Sequence, residues 1–166
     1  MATRDELRRA GAAIRQKLGF LANTPETELA SGMGRLAEEF VWGSIWARPG
    51  LALDDRMLAT LSALTSKQCL QQLRRYIGAA MHIGMPPRTI QEVFIHCGLY
   101  SGFPTILNTL SLANDEFAQQ GITVSDAELP ELDAEGLMTL GRATMQKLHG
   151  ERAERGYAAP ENPITA

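Results

Sequence analysis

Apolar residues recur every three or four positions along nearly the whole chain, and no segment alternates strictly between apolar and polar residues. The first spacing places apolar side chains on one side of a helix, whereas strict alternation is typical of a half-buried strand. A chain of 166 residues with 45% hydrophobic and 21% charged residues has the length and composition of one globular domain. The sequence therefore predicts an all-α, single-domain bundle of about six to seven helices over residues 1–166.

Capping residues, glycines and prolines set the expected ends of these helices. Ser66 is expected to cap the start of one helix. Gly32 and Gly34 are expected to break the helix that begins at Thr24, before the next helix starts near residue 35. Proline is tolerated in the first turn of a helix, so Pro86-Pro87 is expected to begin one. The predicted helices cover residues 5–18, 35–46, 55–64, 67–83, 88–100, 105–120 and 134–155, with another beginning at Thr24 and a loose tail around Pro160 and Pro163.

Charge and cysteine spacing narrow the kinds of molecule or ion that this chain is expected to bind. The formal net charge is -3, and the longest blocks of basic residues are pairs, so nucleic acid is not an expected partner. No apolar run approaches the ~20 residues that cross a bilayer. Cys69 and Cys97 are far apart, and no His, Cys or carboxylate pair has metal-binding spacing. We therefore expect a cytoplasmic protein with reduced thiols, no metal and no membrane segment.

One group of candidate catalytic residues lies within the predicted helix 88–100. Glu92, His96 and Tyr100 are spaced by four residues and therefore share one face of that helix. Glu92 could orient the His96 imidazole as an acid and base, and Tyr100 could donate a hydrogen bond. The alternative is that a Glu-His pair at this spacing is a surface or packing pair without a catalytic role.

A second group surrounds the two tryptophans. Glu39 precedes Trp42 by three residues, and Trp42 precedes Trp46 by four, so a carboxyl group is expected beside an aromatic wall. An apolar setting favours the protonated carboxyl, which suits a proton donor. Arg48 could bind a substrate carboxylate through its planar guanidinium. The alternatives are that both tryptophans belong to the core and that Arg48 packs at a subunit contact.

These two groups together resemble a known family. The matching positions are Trp42-Gly43-x-x-Trp46-x-Arg48-Pro49-Gly50-Leu51, Arg56, His96-x-x-x-Tyr100-x-Gly102-x-Pro104 and Asn108. In order and spacing they resemble the carboxymuconolactone decarboxylase family over a core region of residues 35–120. The resemblance implies an alkyl hydroperoxidase D-like helical fold built on a helical hairpin and assembled into homo-oligomers, as hexamers or trimers. It also implies removal of CO2 from a carboxylated muconolactone in aromatic catabolism without a metal or organic cofactor.

The same family contains thiol peroxidases, which carry a CxxC pair followed by histidine on the helix matching residues 67–83. Here Gln72 stands three residues after Cys69, and Tyr76 occupies the place where the family usually has histidine. The missing second cysteine argues against a thiol peroxidase, and the resemblance to the decarboxylase branch implies a carboxy-lyase. A tyrosine with a pKa of about 10 cannot replace a neutral-pH imidazole base, although it can donate a hydrogen bond.

The resemblance suggests a division of catalytic roles. Loss of CO2 from such a lactone leaves a carbanion delocalised into the lactone carbonyl, so the substrate is its own electron sink. In this hypothesis Arg48 binds the departing carboxylate and His96 returns the proton. Tyr76 or Tyr100 donates a hydrogen bond to the enolate oxygen, and Glu39 orients or relays protons.

The predicted substrate-binding residues are Arg48, Trp42, Trp46 and Phe103. Two other functions stay open at this point. One is a related cofactor-free enzyme that acts on another carbonyl or lactone compound by proton transfer. The other is a non-catalytic oligomeric protein that binds a small carboxylate or lactone in an apolar pocket lined by Trp42, Trp46, Phe94 and Phe103.

Overall fold

A computed structural model of the chain describes residues 2–20, 30–125 and 131–155. The regular elements among these residues are all helical, and none of them is a strand, so the all-α prediction is confirmed. The chain divides into two compact units, Met1–Val124 and Ser125–Ala166. The single-domain assignment of residues 1–166 and the core limits 35–120 stay predictions. The helix start at Thr24 and the tail around Pro160 and Pro163 lie outside the described residues.

The first unit begins with helix α1, Arg4–Lys17. A capping box starts it: the Thr3 hydroxyl accepts the Glu6 amide at 3.2 Å, and the Glu6 carboxylate accepts the Thr3 amide at 2.7 Å. Gly19 follows the helix with a φ of 71°, a left-handed conformation that glycine adopts without strain. The helix predicted over residues 5–18 is therefore confirmed.

The predicted helix over residues 35–46 is helical but not uniformly α. Helix α2, Met33–Leu36, leads directly into a π-helix, Ala37–Trp46, whose end is marked by a 2.9 Å hydrogen bond from the Ala47 amide to the Trp42 carbonyl. π-Helices usually occur as single turns, so ten residues is long for this form. Gly32 precedes α2 as expected. Gly34 lies inside α2, so the prediction that it breaks the helix was wrong.

Helix α3, Leu53–Ser66, and helix α4, Leu70–His82, are separated by a tight turn. Ser66 is the last residue of α3, so the prediction that it caps the following helix was wrong. Gln68 lies in the turn between the two helices and adopts a φ of 53°, which is uncommon for residues other than glycine. Its side-chain amide donates to the Thr65 carbonyl at 2.9 Å and its oxygen accepts from the Asn108 amide at 2.8 Å, which holds this conformation.

Helix α5, Pro87–Ser101, and helix α6, Phe103–Gln119, form a hairpin that turns at Gly102. Helix α5 packs against α3 and α6, and α4 packs against α3 and α6. Gly98 allows the close approach within the hairpin, because a Cβ at this position would overlap the Ile106 side chain. The fully buried apolar residues come from all four helices: Met57, Leu61, Leu73, Ile77, Ala80, Ile90, Phe94 and Ala113.

The second unit contains helix α7, Ala134–His149, and helix α8, Glu151–Arg155. Asp133 caps α7 by accepting the Gly136 amide at 2.8 Å. Gly150, with a φ of 56°, divides what the sequence predicted as one helix over residues 134–155. Across both units, no helix among the described residues is long and apolar enough to cross a membrane.

Candidate active site

The two predicted tryptophans and Tyr76 form one aromatic cluster, which Phe20 completes. The Trp46 and Tyr76 rings stack with centroids 5.8 Å apart, and the Trp42 and Tyr76 rings stack at 6.4 Å. Phe20 lies 5.4 Å from Trp42 and 5.3 Å from Tyr76, meeting the latter ring edge-on. Both tryptophans are buried in the core, as the alternative interpretation expected, whereas Tyr76 is half-buried at its surface.

Burial in this cluster changes the acidity of Tyr76. Loss of hydration raises the pKa of the Tyr76 hydroxyl above its ordinary value, and the positive charge of Arg75 opposes that shift only in part. The Arg75 guanidinium carbon lies 5.5 Å from the centroid of the Phe20 ring. Tyr76 therefore stays protonated at neutral pH, where it can donate a hydrogen bond but cannot act as a base.

Glu39 does not have the apolar surroundings that the sequence suggested. Its carboxylate accepts a 2.7 Å hydrogen bond from the Arg8 guanidinium, and Arg4 lies 3.8 Å away. The neighbouring Glu38 pairs with Arg15 at 3.1 Å. Both acidic residues of the π-helix are thus paired with cations of α1. The Glu39 carboxylate is therefore engaged with α1 and does not face an apolar wall.

Arg48 lies in the turn that follows the π-helix, two residues after Trp46 of the aromatic cluster. Its side chain is exposed, and it forms no ion pair with a carboxylate in the described parts of the chain. Its carbonyl oxygen accepts a 2.8 Å hydrogen bond from Arg56 of α3. The Arg48 guanidinium is therefore available to an external anion.

His96 and Tyr100 lie together on the exposed face of α5, with ring centroids 5.7 Å apart. Glu92 is also exposed, but it pairs with Arg88 one turn before it, so the expected Glu92–His96 orientation is not formed. No ring contact among the described residues joins His96 or Tyr100 to the aromatic cluster. The single chain thus places the predicted catalytic residues in two groups.

The predicted apolar pocket is not assembled as expected. Phe94 is fully buried in the core, whereas Phe103 is 68% exposed at the start of α6. Phe103 follows Leu99 by four residues across the bend of the hairpin, and both side chains are exposed. Phe94 therefore stabilises the core, whereas Phe103 is one of the exposed residues of the α5–α6 hairpin, as are His96, Leu99 and Tyr100.

The sequence model of the carboxymuconolactone decarboxylase family matches residues 32–115, which is just over half of the chain. This chain belongs to that family. The match includes every predicted site residue, from Glu39 to Phe103. The resemblance read from the motifs is therefore confirmed.

Curated relatives of this carboxymuconolactone decarboxylase family member include two decarboxylases. The 4-carboxymuconolactone decarboxylase of Acinetobacter baylyi is 32% identical over 83 residues, which cover 50% of this chain and 62% of that protein. The nitrosuccinic acid decarboxylase of Metarhizium robertsii is 29% identical over 75 residues, or 45% of this chain and 52% of that protein. A 15.0 kDa protein of Paracoccus denitrificans is 29% identical over 84 residues, 49% of this chain and 63% of its own length. The chain thus spans somewhat more than half of each relative.

Sequence reasoning missed the part that Phe20 plays in the aromatic cluster and the hydrogen bonds of Arg56. The position of Phe20 directly after the helix-ending Gly19 was a visible signal, because aromatic residues at helix ends often pack back on the core.

Cys69 and Cys97 are both free. No three His, Cys, Asp or Glu side chains of the described residues lie close enough to share a metal ion, and the metal-free site stays a prediction.

Proposed function

We propose that this protein is a cofactor-free carboxy-lyase that removes CO2 from a carboxylated lactone similar to 4-carboxymuconolactone, in the breakdown of aromatic compounds. The observation that carries the proposal is the exposed Arg48 side chain in the turn two residues after Trp46, which forms no ion pair with a carboxylate of the described residues. Such a group suits a carboxylated substrate, because guanidinium binds carboxylate through two parallel hydrogen bonds. The family membership and the names of two relatives support the same chemistry.

In the proposed mechanism the bond between the lactone carbon and its carboxylate breaks. The electron pair moves into the lactone carbonyl as an enolate, and CO2 leaves. Arg48 holds the carboxylate before it departs, and Tyr76 or Tyr100 donates a hydrogen bond to the enolate oxygen. His96 then delivers one proton to the carbanion carbon. Glu39, which is paired with Arg8, contributes by orienting the tryptophan-bearing helix and not by releasing a proton.

We further propose that the enzyme is a homo-oligomer, a hexamer or a trimer, in which a second subunit covers the exposed side chains of Leu99 and Tyr100. Leu99 and Tyr100 are about four-fifths exposed, at 79% and 80%, although both are large and Leu99 is wholly apolar. Large neighbouring side chains exposed to this degree are typical of an interface. Covering it would also exclude water from His96, where proton transfer requires a defined donor. The cytoplasm is the proposed location.

A second candidate follows from Tyr76. Because this position lacks the usual histidine, we expect the protein to accept a different acid whose carbanion is stabilised by another electron-withdrawing group. The relative named for nitrosuccinic acid supports decarboxylation of such substrates within the family. In this second candidate Arg48 and His96 keep their roles, and only the group that accepts the electron pair differs.

The test is to measure CO2 release and substrate absorbance with purified protein and either 4-carboxymuconolactone or nitrosuccinic acid, without added metal or thiol. We expect turnover of one of the two, lost in His96→Gln and retained in the matched variant His149→Gln on α7. Full turnover by a folded His96→Gln variant would remove His96 from the mechanism. If neither compound turns over but either binds in a calorimetric titration, the protein is a binding protein and the decarboxylase proposal is wrong.

A further inference from the structure

The turn that carries Arg48 has Pro49 and Gly50 at its centre, which are residues typical of a tight β-turn. Among the described backbone hydrogen bonds, the last before the turn joins the Arg48 amide to the Ile45 carbonyl at 3.3 Å, and the next joins the Arg56 amide to the Ala52 carbonyl at 3.0 Å. Pro49 has no amide hydrogen to give, and Gly50 adopts a φ of 99°, which a residue with a side chain would resist. Pro49 and Gly50 therefore set the bend of the turn, but they do not attach it to the neighbouring helix α3.

The side chain of Arg56 attaches this turn to helix α3. Its Nη2 atom donates to the Arg48 carbonyl at 2.8 Å and lies 3.5 Å from the Leu51 carbonyl. One cationic nitrogen thus contacts both ends of the turn. No described carboxylate forms an ion pair with Arg56, so no acidic group competes for this nitrogen within the described residues.

Arg56 can act as a fixed support because its own position is rigid. It lies in the second turn of α3, directly before Met57, which is fully buried in the core. Movement of the Arg56 backbone would require movement of that core residue. The guanidinium is planar and its donors have fixed directions, so it transmits this rigidity to the two carbonyl groups.

We infer that Arg56 is a positioning residue that aims the Arg48 guanidinium at the substrate carboxylate by holding the carbonyl groups of Arg48 and Leu51. The inference rests on the proposed function in one respect, since it takes Arg48 as the carboxylate-binding residue. Arg56 itself does not touch the substrate. Its effect reaches the substrate only through the direction of the Arg48 side chain.

A double-mutant cycle tests this route. In Arg56→Ala we expect KM for the carboxylated substrate to rise by about tenfold while kcat changes little, because a lost binding geometry weakens ground-state and transition-state binding alike. Arg56→Lys keeps the positive charge but is shorter and lacks the fixed donor directions of a guanidinium, so it should fall between this variant and the wild type. In an Arg48→Ala background, Arg56→Ala should cause no further rise, since residues that act through one another are not additive. Additive effects would overturn the inference.

A second readout does not depend on turnover. The backbone amide NMR signals of Gly50 and Leu51 should shift in Arg56→Ala and less in Arg56→Lys, while the exposed control Arg9→Ala leaves them in place. Unshifted amides in Arg56→Ala would overturn the inference even if activity fell. If the amides shift but Arg48→Ala binds 4-carboxymuconolactone as tightly as the wild type, the carboxylate-binding role of Arg48 in the proposed function fails instead.

Discussion

Gly11 of α1 and Gly43 of the π-helix bring two helix backbones into direct contact. A Cβ built on Gly11 would lie 3.0 Å from the Gly43 nitrogen, and one built on Gly43 would overlap the Leu7 carbonyl group. The Arg8–Glu39 and Arg15–Glu38 ion pairs join the same two helices. Close backbone packing and charge pairing thus hold the helix that carries both tryptophans.

Replacing Gly43 by alanine tests this contact. We expect Gly43→Ala to lower the free energy of unfolding by about 1–3 kcal/mol or more, because the clash is with backbone atoms that cannot rotate away. The matched change Gly78→Ala lies within α4, where an added Cβ meets nothing within 4 Å, and should stabilise the protein by about 0.5–1 kcal/mol. Urea unfolding of both variants measures the difference. Equal effects in the two variants would contradict the observed contact.

The raised pKa of Tyr76 predicts a dependence of stability on alkaline pH. Burial favours the protonated hydroxyl, so its stabilising contribution is complete below the unfolded pKa of about 10 and is lost as pH rises through the higher folded pKa. Wild type and Tyr76→Phe should therefore respond alike to pH below about 10. Above that value the wild type should lose stability faster.

Chemical unfolding at several pH values between 8 and 11 would measure this divergence. Tyr100→Phe is the control, because the Tyr100 side chain is 80% exposed and its removal should leave the alkaline response of the wild type in place. Parallel curves for wild type and Tyr76→Phe over the whole range would show that the Tyr76 hydroxyl is not sheltered from water.

At Gln68 we expect replacement by glycine to give a more stable protein than replacement by alanine, which reverses their usual order. Its left-handed φ of 53° costs about 1–2 kcal/mol for a residue with a Cβ, and both substitutions lose the same side-chain hydrogen bonds. Gln68→Gly should therefore be more stable than Gln68→Ala by about 1 kcal/mol. At Gln72, inside α4, alanine should be the more stable replacement by a similar amount. Thermal unfolding of the four variants compares the two orders directly.

Leu99 tests the proposed subunit interface. A charge placed within an apolar interface must be desolvated, so Leu99→Glu should shift the protein from an oligomer towards a monomer. Gln71→Glu adds the same charge at an exposed position of α4 and should leave the oligomeric state unchanged. Sedimentation velocity of the two variants at matched concentration gives the answer. An unchanged oligomer in Leu99→Glu would place the interface elsewhere.

Much of the candidate site could be predicted from local spacing. Two residues four positions apart share a helix face, so the contact of His96 with Tyr100 and that of Trp42 with Trp46 follow from the sequence. The partner of Glu92 could not be chosen in this way, because Arg88 and His96 stand four residues before and after it. The structure selects Arg88.

The sequence by itself determined the all-α class and most helix ends, because apolar periodicity, Pro87, Gly19 and Gly102 act on the chain within a few residues of themselves. Only the tertiary structure decided that residues 37–46 form a π-helix and that Glu39 pairs with Arg8, 31 positions away. Ten residues carry too few apolar positions to distinguish helical forms, and an ion pair between distant residues depends on how two helices pack. These features therefore arise from contacts that no local pattern encodes.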